Sequence, residues 1–259
     1  MKSLKLEICV YNTASCLAAL KGNADRVELC ASMPEGGITP SLALIEQAQE
    51  ILTATDNPKQ LDVMVMIRPR GGDFLYDDWE FKQMVRDVEI CRKAGVAGVV
   101  FGILTNDGNI DKKRNSILLD VAGDMQTCFH RAIDMSSNYV KAAEDIVNLG
   151  FSRILTSGGM NKAADGIENI KKISSLFSDK IDIMAGSGVN PDNMKTIYEE
   201  ARPSSFHFSA KKIVSGGMLF RNPNVSMGVF GNVSEYDLAV SDEYEIRRAK
   251  NVIMGLERQ

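Results

Sequence analysis

The chain has 259 residues, of which 44% are hydrophobic and 25% charged, and its formal net charge is -4. These values are typical of a globular protein with a sizeable core, large enough for one α/β barrel or two small domains. The acidic balance gives no positive field that would attract nucleic acid or an anionic membrane, so we expect neither as a partner.

Short apolar segments alternate with longer segments of helical spacing from one end of the chain to the other. Alternation and apolar runs predict eight strands. They cover residues 4–10, 25–30, 62–68, 96–102, 127–131, 152–158, 181–187 and 204–210. Between the third and fourth, residues 78–95 are predicted to form a helix that ends at Gly95. Its apolar positions are Phe81, Met84, Val85, Val88 and Cys91.

Eight strand and helix pairs in about 250 residues predict a single (β/α)8 TIM barrel over residues 1–259, because parallel strands need a crossover between them. A doubly wound open sheet is the alternative. Several strands have one apolar and one polar face, as in Leu6 and Ile8 against Glu7 and Cys9, which favours a barrel with the polar face inside. Residues 211–242, rich in Gly and Asn, are predicted to be a long loop or lid.

Two features indicate where the protein acts in the cell. The N-terminal residues lack the apolar core of a signal peptide, and no run of about 20 apolar residues is present to span a bilayer. The five cysteines are odd in number and lack the spacings of a secreted disulfide framework, so we expect free thiols. Both features predict a cytoplasmic protein.

The first two strands repeat one motif, Glu-x-Cys, in "LEICV" and "VELCA". If the strands are neighbours in register, Cys9 and Cys30 lie about 4.7 to 4.9 Å apart. Two metal–sulfur bonds of about 2.3 Å laid end to end span a similar distance, so a two-coordinate soft ion such as Cu(I) fits between them. Two other interpretations stay open: that both thiols are small buried hydrophobes, and that they form a disulfide under oxidation.

Charged residues recur at the C-terminal ends of several predicted strands, where barrel enzymes assemble their active sites. Buried carboxylates need cations or protons, and Arg68 is the candidate partner of Glu28. If the protein is an enzyme, Glu28, His130 and Asp134 are the candidate groups for proton transfer. A structural network of ion pairs is the alternative.

The same strand ends carry candidate donors for an anion. Arg68 and Arg70 follow the third strand, while Ser187 and Ser209 belong to Gly-rich or small-residue turns after the seventh and eighth. Phosphate sites in barrels often form there, so a lyase or isomerase acting on a small phosphorylated or carboxylated molecule is the competing function. Tight strand-to-helix turns explain the same residues equally simply.

Six motifs in order over nearly the whole chain resemble the copper homeostasis protein family CutC. They are "RVELC…EGGITPS", "VMIRPRGGDFLY", "GVVFGILTNDGNID", "FHRAID", "RILTSGG" and "HFSA". The resemblance implies a cytoplasmic TIM barrel, usually a homodimer, that handles copper and holds Cu(I) through the thiols of Cys9 and Cys30. The sequence departs from the family at "CFHRAID", where "TFHRAFD" is more usual, which adds the thiol of Cys128 two residues before His130.

Overall fold

The computed structural model describes residues 3–54, 59–225 and 234–258. Eight parallel strands form a closed barrel in which each strand pairs with the next and the eighth closes against the first. The barrel strands are β1 (Lys5–Val10), β2 (Arg26–Leu29), β3 (Asp62–Met66), β4 (Gly98–Phe101), β5 (Gln126–Phe129), β6 (Arg153–Thr156), β7 (Asp182–Gly186) and β8 (Ser205–Phe208). The predicted barrel is therefore confirmed, and the open sheet is wrong.

Helices follow the strands and form the outer layer of the barrel. They are α1 (Thr13–Lys21), α2 (Leu42–Thr53), α3 (Asp78–Ala94), α4 (Lys112–Ala122), α5 (Tyr139–Leu149), α6 (Ile167–Phe177), α7 (Met194–Ala201) and α8 (Glu243–Leu256). Short 3-10 segments at Met33–Glu35 and Arg131–Met135 follow β2 and β5. Among the described residues, no helix combines the length and apolar character needed to cross a membrane.

Helix α3 shows how local sequence sets an element. Asp77 accepts hydrogen bonds from the backbone N–H groups of Trp79 and Glu80, and Glu80 accepts one from Asp77, so a capping box starts the helix. Gly95, with φ of 71°, ends it in the left-handed conformation that glycine adopts without strain. The predicted helix over residues 78–95 is confirmed.

The buried apolar side chains form two separate clusters. The larger lies between the strands and the helices and includes Leu6, Ile8 and Val27. The smaller fills the barrel interior with sulfur-bearing and aliphatic side chains. Its buried members are Cys9, Cys30, Met64, Met66, Val100, Cys128, Leu155 and Met184. The predicted division of β1 and β2 into an outward apolar face and an inward polar face therefore holds.

The segment 211–242 has regular structure at both of its ends. Strands β9 (Lys211–Ser215) and β10 (Asp237–Ser241) pair in antiparallel fashion, while residues 226–233 lie outside the described residues. Backbone and side-chain hydrogen bonds tie β10 to α1, from Ser241 N to Ser15 Oγ at 3.0 Å and from Asn12 Nδ2 to Ala239 O at 2.9 Å. The ends of the predicted lid are thus anchored to the barrel.

Candidate metal and ligand site at the barrel mouth

The two Glu-x-Cys motifs lie on neighbouring strands inside the barrel, but the pairing of the strands shifts one motif by two residues relative to the other. In the register of β1 with β2, Glu7 lies opposite Arg26 and Cys9 lies opposite Glu28. Cys30 is thus two residues further along, yet its Sγ is only 3.8 Å from that of Cys9. Direct register, the assumption behind the predicted spacing of the thiols, is wrong, and the closeness of the thiols comes from the stagger of the barrel strands.

Glu7 sits below the thiols in a fully buried ionic group. Arg26 Nε donates to one of its oxygens, and His207 Nδ1 lies 2.8 Å from the other. Burial alone would raise the pKa of Glu7, but the charge of Arg26 and the contact with His207 outweigh it and hold that pKa well below its ordinary value. Glu7 is therefore a carboxylate.

His207 links this ionic group to the thiols. Its Nε2 lies 3.7 Å from Glu28 Oε2. Burial opposes a charged imidazole, but the carboxyl of Glu28 and hydrogen bonding to Cys9 and Glu7 raise the pKa of His207 well above its ordinary value. The arrangement thus places a cationic ring between two carboxyl groups and a thiol.

The two thiols differ in their acidity. A hydrogen bond from Cys30 lowers the pKa of Cys9 well below its ordinary value against the opposing effect of burial, and His207 and Tyr11 act in the same direction. That same hydrogen bond, together with burial and the charge on Cys9, raises the pKa of Cys30. Cys9 is therefore the more acidic thiol of the pair, and the thiolate is the metal-binding form of cysteine.

Glu28 completes the set of candidate metal ligands. One oxygen lies 3.5 Å from Cys30 Sγ, and Oε1 is buried without a hydrogen-bond partner among the described residues. The ligand atoms of Cys9, Glu28 and Cys30 all lie within 4.8 Å of one another. Burial, and then the charges of Cys9 and Glu7, raise the pKa of Glu28 well above its ordinary value.

A cavity of about 640 Å³ opens above these residues at the C-terminal ends of the strands. Cys9, Glu28 and His207 line it, whereas Cys30 is fully buried and does not. The cavity has the size of a small-molecule site, and an ion that reaches the thiols must enter through it.

Arg68 lines the cavity without contacting Glu28, so the predicted pairing of these two residues is wrong. Its Nη1 donates to the carbonyls of Glu35 at 2.7 Å and Gly37 at 3.1 Å, and its Nη2 donates to that of Gly72 at 2.8 Å. The guanidinium therefore holds together the loops after β2 and β3. The arginine that pairs with a buried glutamate is instead Arg26, which lies in β2 and pairs with Glu7. Alternation along β2 predicts that Arg26 points into the barrel, but it does not predict this ion pair.

The other predicted anion-binding residues divide into two groups. Ser187 and Ser209 line the cavity, and Ser187 Oγ donates to the carbonyl of Asn161 at 2.7 Å. Arg70 does not line it. Its guanidinium forms ion pairs with Asp73 at 3.0 Å and with Glu80. Arg70 therefore pairs with acidic residues near the start of α3 and does not contribute to the cavity.

His130 lies just beyond β5 and not within it, where it caps the following 3-10 segment. Its Nδ1 accepts the backbone N–H of Ala132 at 3.2 Å. Burial, and then the charges of Arg68 and Arg131, lower the pKa of His130 to about 3. The ring is therefore neutral and only weakly basic near pH 7, and its Nδ1 already accepts a hydrogen bond, so it suits a hydrogen-bond donor better than a general base.

Asp134, the third candidate for proton transfer, is saturated with hydrogen bonds. Its oxygens accept from Arg131 Nε, Thr156 Oγ1, the N–H and Oγ of Ser157, and Gly159 N, at 2.6 to 3.1 Å. This pattern orders the ends of β5 and β6. Asp134 lines the cavity as a structural carboxylate.

Cys128 belongs to the apolar interior below the cavity. It is fully buried among the smaller cluster, and burial raises the pKa of its thiol. The structure does not bring it into the group formed by Cys9, Glu28 and Cys30.

Comparison with known proteins shows which family the chain belongs to. A model of the CutC family matches residues 4–212. The chain belongs to the CutC family. A Bacteroides fragilis member named CutC is 42% identical over 256 residues, covering 99% of this chain and 98% of its own. A Homo sapiens protein named copper homeostasis protein cutC homolog is 39% identical over 253 residues, covering 96% of this chain and 90% of its own.

A solved CutC structure from Streptococcus agalactiae has the same fold. It superposes with a TM-score of 0.74 at 33% identity, covering 80% of this chain and 98% of its own. The CutC resemblance predicted from the six motifs is therefore confirmed.

Proposed function

We propose that this CutC protein binds Cu(I) through the thiolates of Cys9 and Cys30 in the reducing cytoplasm. The observation that carries the proposal is the 3.8 Å separation of the two Sγ atoms beside an unsatisfied carboxyl oxygen. All five cysteines are free thiols, which suits a reducing compartment. Soft thiolate ligands select Cu(I) over harder ions.

The geometry of the thiols favours a bent site over the linear one expected from the sequence. With metal–sulfur bonds of about 2.3 Å, an Sγ–Sγ distance of 3.8 Å corresponds to a sulfur–metal–sulfur angle of about 110°. That angle leaves room for a third ligand, and Glu28 is the nearest group that supplies one. Met66, which also lines the cavity, is a neighbouring soft donor.

An anaerobic titration of the reduced protein with Cu(I) against a competing chelator tests the proposal. One equivalent per chain is expected to bind, because the two thiols form one site. Cys9→Ser and Cys30→Ser are each expected to abolish binding, whereas Glu28→Gln should weaken it and change the coordination seen by X-ray absorption.

Cys91→Ser is the matched control, since Cys91 lies in α3 at the outer core, away from the cavity. It should bind one equivalent like the unchanged protein. Unaltered Cu(I) affinity in the Cys9→Ser, Cys30→Ser double variant would contradict the proposal.

The cavity favours a second candidate function, a lyase or isomerase acting on a small phosphorylated or carboxylated molecule. Its volume of about 640 Å³ exceeds what a single ion needs. Glu28, whose Oε1 has no hydrogen-bond partner among the described residues and whose side chain lines the cavity, is the best-placed proton donor of the predicted catalytic residues. NMR detection of turnover in a panel of such metabolites, lost in Glu28→Gln, would support it.

We also propose that the protein forms a homodimer. Support comes from the segment after β9, where Met218, Leu219 and Phe220 present large apolar side chains to solvent, Leu219 with 98% of its surface exposed. Contiguous exposed apolar residues of this kind mark interaction surfaces.

A further inference from the structure

The guanidinium of Arg68 is buried without an acidic partner. Its side chain is only 7% exposed, and the groups that its terminal nitrogens contact are three neutral carbonyls. Arg68 forms no ion pair within residues 3–54, 59–225 and 234–258, and its Nε has no well-formed hydrogen bond there. The further polar group beside it is the neutral hydroxyl of Tyr76. A buried charge of this kind is costly unless an opposite charge compensates it.

His130 presents a second unsatisfied donor in the same cavity. Because Nδ1 accepts the N–H of Ala132, the neutral ring carries its proton on Nε2. That Nε2 is buried and has no partner in the described part of the chain, while the residue is 3% exposed. A buried N–H left unpaired destabilises the native state, and a bound acceptor would recover that lost free energy.

Packing fixes these two groups relative to each other. The ring of Phe74 lies 5.0 Å from Arg68 Cζ and 4.8 Å from the ring of His130, between centroids, and all three residues line the cavity. Gly102, after β4, makes room for the imidazole, because a Cβ at that position would lie 2.8 Å from His130 Nδ1. The donors are thus held in place before any ligand arrives, which favours binding.

We propose that Arg68 and His130 together bind the oxyanion of a small ligand, a carboxylate or a phosphate, within the cavity. Arg68 supplies the compensating charge and the Nε2–H of His130 supplies a hydrogen bond. The site adjoins the thiols through Gly37. The carbonyl of Gly37 accepts a hydrogen bond from Arg68, and its Cα is so close to Cys30 that an added Cβ would lie 3.0 Å from the Sγ of Cys30. The inference rests on the enzyme proposal only in taking the ligand to be a small anion.

Binding is measured without turnover and without copper, so its failure is distinct from failure of either proposed function. Metal-free protein labelled with ¹⁵N-histidine is titrated separately with inorganic phosphate and with acetate at constant ionic strength. A saturable shift of the His130 Nε2 signal is expected with at least one of them. The anion that saturates at the lower concentration identifies the ligand as a phosphate or a carboxylate.

Variants connect the response to the two donors, with the anion-induced rise in melting temperature as the readout. Arg68→Met and His130→Phe should each lose that rise, whereas His130→Gln, which keeps an N–H donor, should retain part of it. Cys91→Ser, a change at the outer core and away from the cavity, should retain all of it. Since Arg68 also ties loops together, His130→Phe decides the matter if Arg68→Met does not fold. No saturable shift with either anion, or a rise that persists in His130→Phe, would overturn the inference.

Discussion

Glu7 and Glu28 occupy the same position in a repeated motif, yet their environments drive their pKa values in opposite directions. Glu7 is held between Arg26 and His207 and stays ionised. Glu28 lies beside Cys9 and meets its cation only at 3.7 Å, so burial dominates and raises its pKa. One motif thus gives a structural carboxylate at the lower level of the barrel and a potential ligand at the upper level.

Removing the charge of Glu7 is expected to destabilise the barrel strongly. Glu7→Gln leaves Arg26 buried without a carboxylate, and breaking a buried pair in this way costs about 3 to 5 kcal/mol. Urea unfolding measures the change. Glu46→Gln, an exposed position on α2, is the control and should alter stability by less than about 0.5 kcal/mol. A loss below about 1 kcal/mol in Glu7→Gln would show that the pair contributes little.

The buried neutral His130 predicts a loss of stability in mild acid. Its pKa is lowered to about 3 by burial and then by the charge of Arg68, whereas an unfolded chain protonates histidine near pH 6.5. Between these values the unfolded state binds a proton that the native state excludes. The stability that the neutral His130 contributes is therefore fully present above about pH 6.5. It is lost as the pH falls below that value, by up to about 1.4 kcal/mol per pH unit.

His130→Gln removes that contribution, so its stability relative to the unchanged protein should improve as pH falls from 7 to 5 in urea unfolding. The comparison isolates His130, because His207 is present in both proteins and its contribution, which has the opposite sense, cancels. The raised pKa of His207 gives stability that is present below about pH 6.5 and lost as pH rises through its folded value. Parallel pH profiles for the two proteins would contradict the assignment.

At the scale of single elements, periodicity predicts strands and helices well because burial of one face governs both. All eight barrel strands and helix α3 lie where alternation and helical spacing place them. Register is different, because a strand pattern tells which face is inside and says nothing of the stagger between neighbours. Hence the predicted closeness of the two thiols is right although the register assumed for it is wrong. The predicted pairing of Glu28 with Arg68 is wrong.

Loop residues limit the prediction of the site in a second way. Arg68 and Arg70 follow β3 closely in sequence, yet one guanidinium turns to loop carbonyls in the cavity wall and the other to acidic residues at the start of α3. Side-chain direction after a strand ends is set by tertiary contacts, which the local pattern does not encode. Cavity membership of Ser187 and Ser209 could be predicted because both lie at the strand ends themselves.

The start of α3 provides an element-scale prediction. Asp77→Ala removes the acceptor for the N–H groups of Trp79 and Glu80 and should cost about 1 kcal/mol. Asp77→Asn keeps an accepting oxygen and should cost much less. Chemical unfolding of the two variants measures the difference, and equal losses would mean that the cap itself contributes little to α3.

At the scale of the whole molecule, the proposed ligand site and the proposed dimer surface are built differently. The cavity gathers residues from strands all around the barrel, so the closed fold holds it rigidly. The exposed apolar residues instead lie between β9 and β10, in a segment that is attached to the barrel through α1. A change in that segment should therefore affect association without disturbing the cavity.

The homodimer is tested by replacing Leu219 and Phe220 together with Asp. In solution the unchanged protein should have twice the 28.4 kDa mass of one chain by light scattering, because burying both side chains against a second copy removes apolar surface from water. The double variant should be monomeric, since two charges per chain at the interface oppose association. It should still bind one equivalent of Cu(I). Trp79→Asp, at another exposed aromatic position, should remain dimeric. A monomeric unchanged protein, or a double variant that stays dimeric, would exclude this segment as the dimer interface.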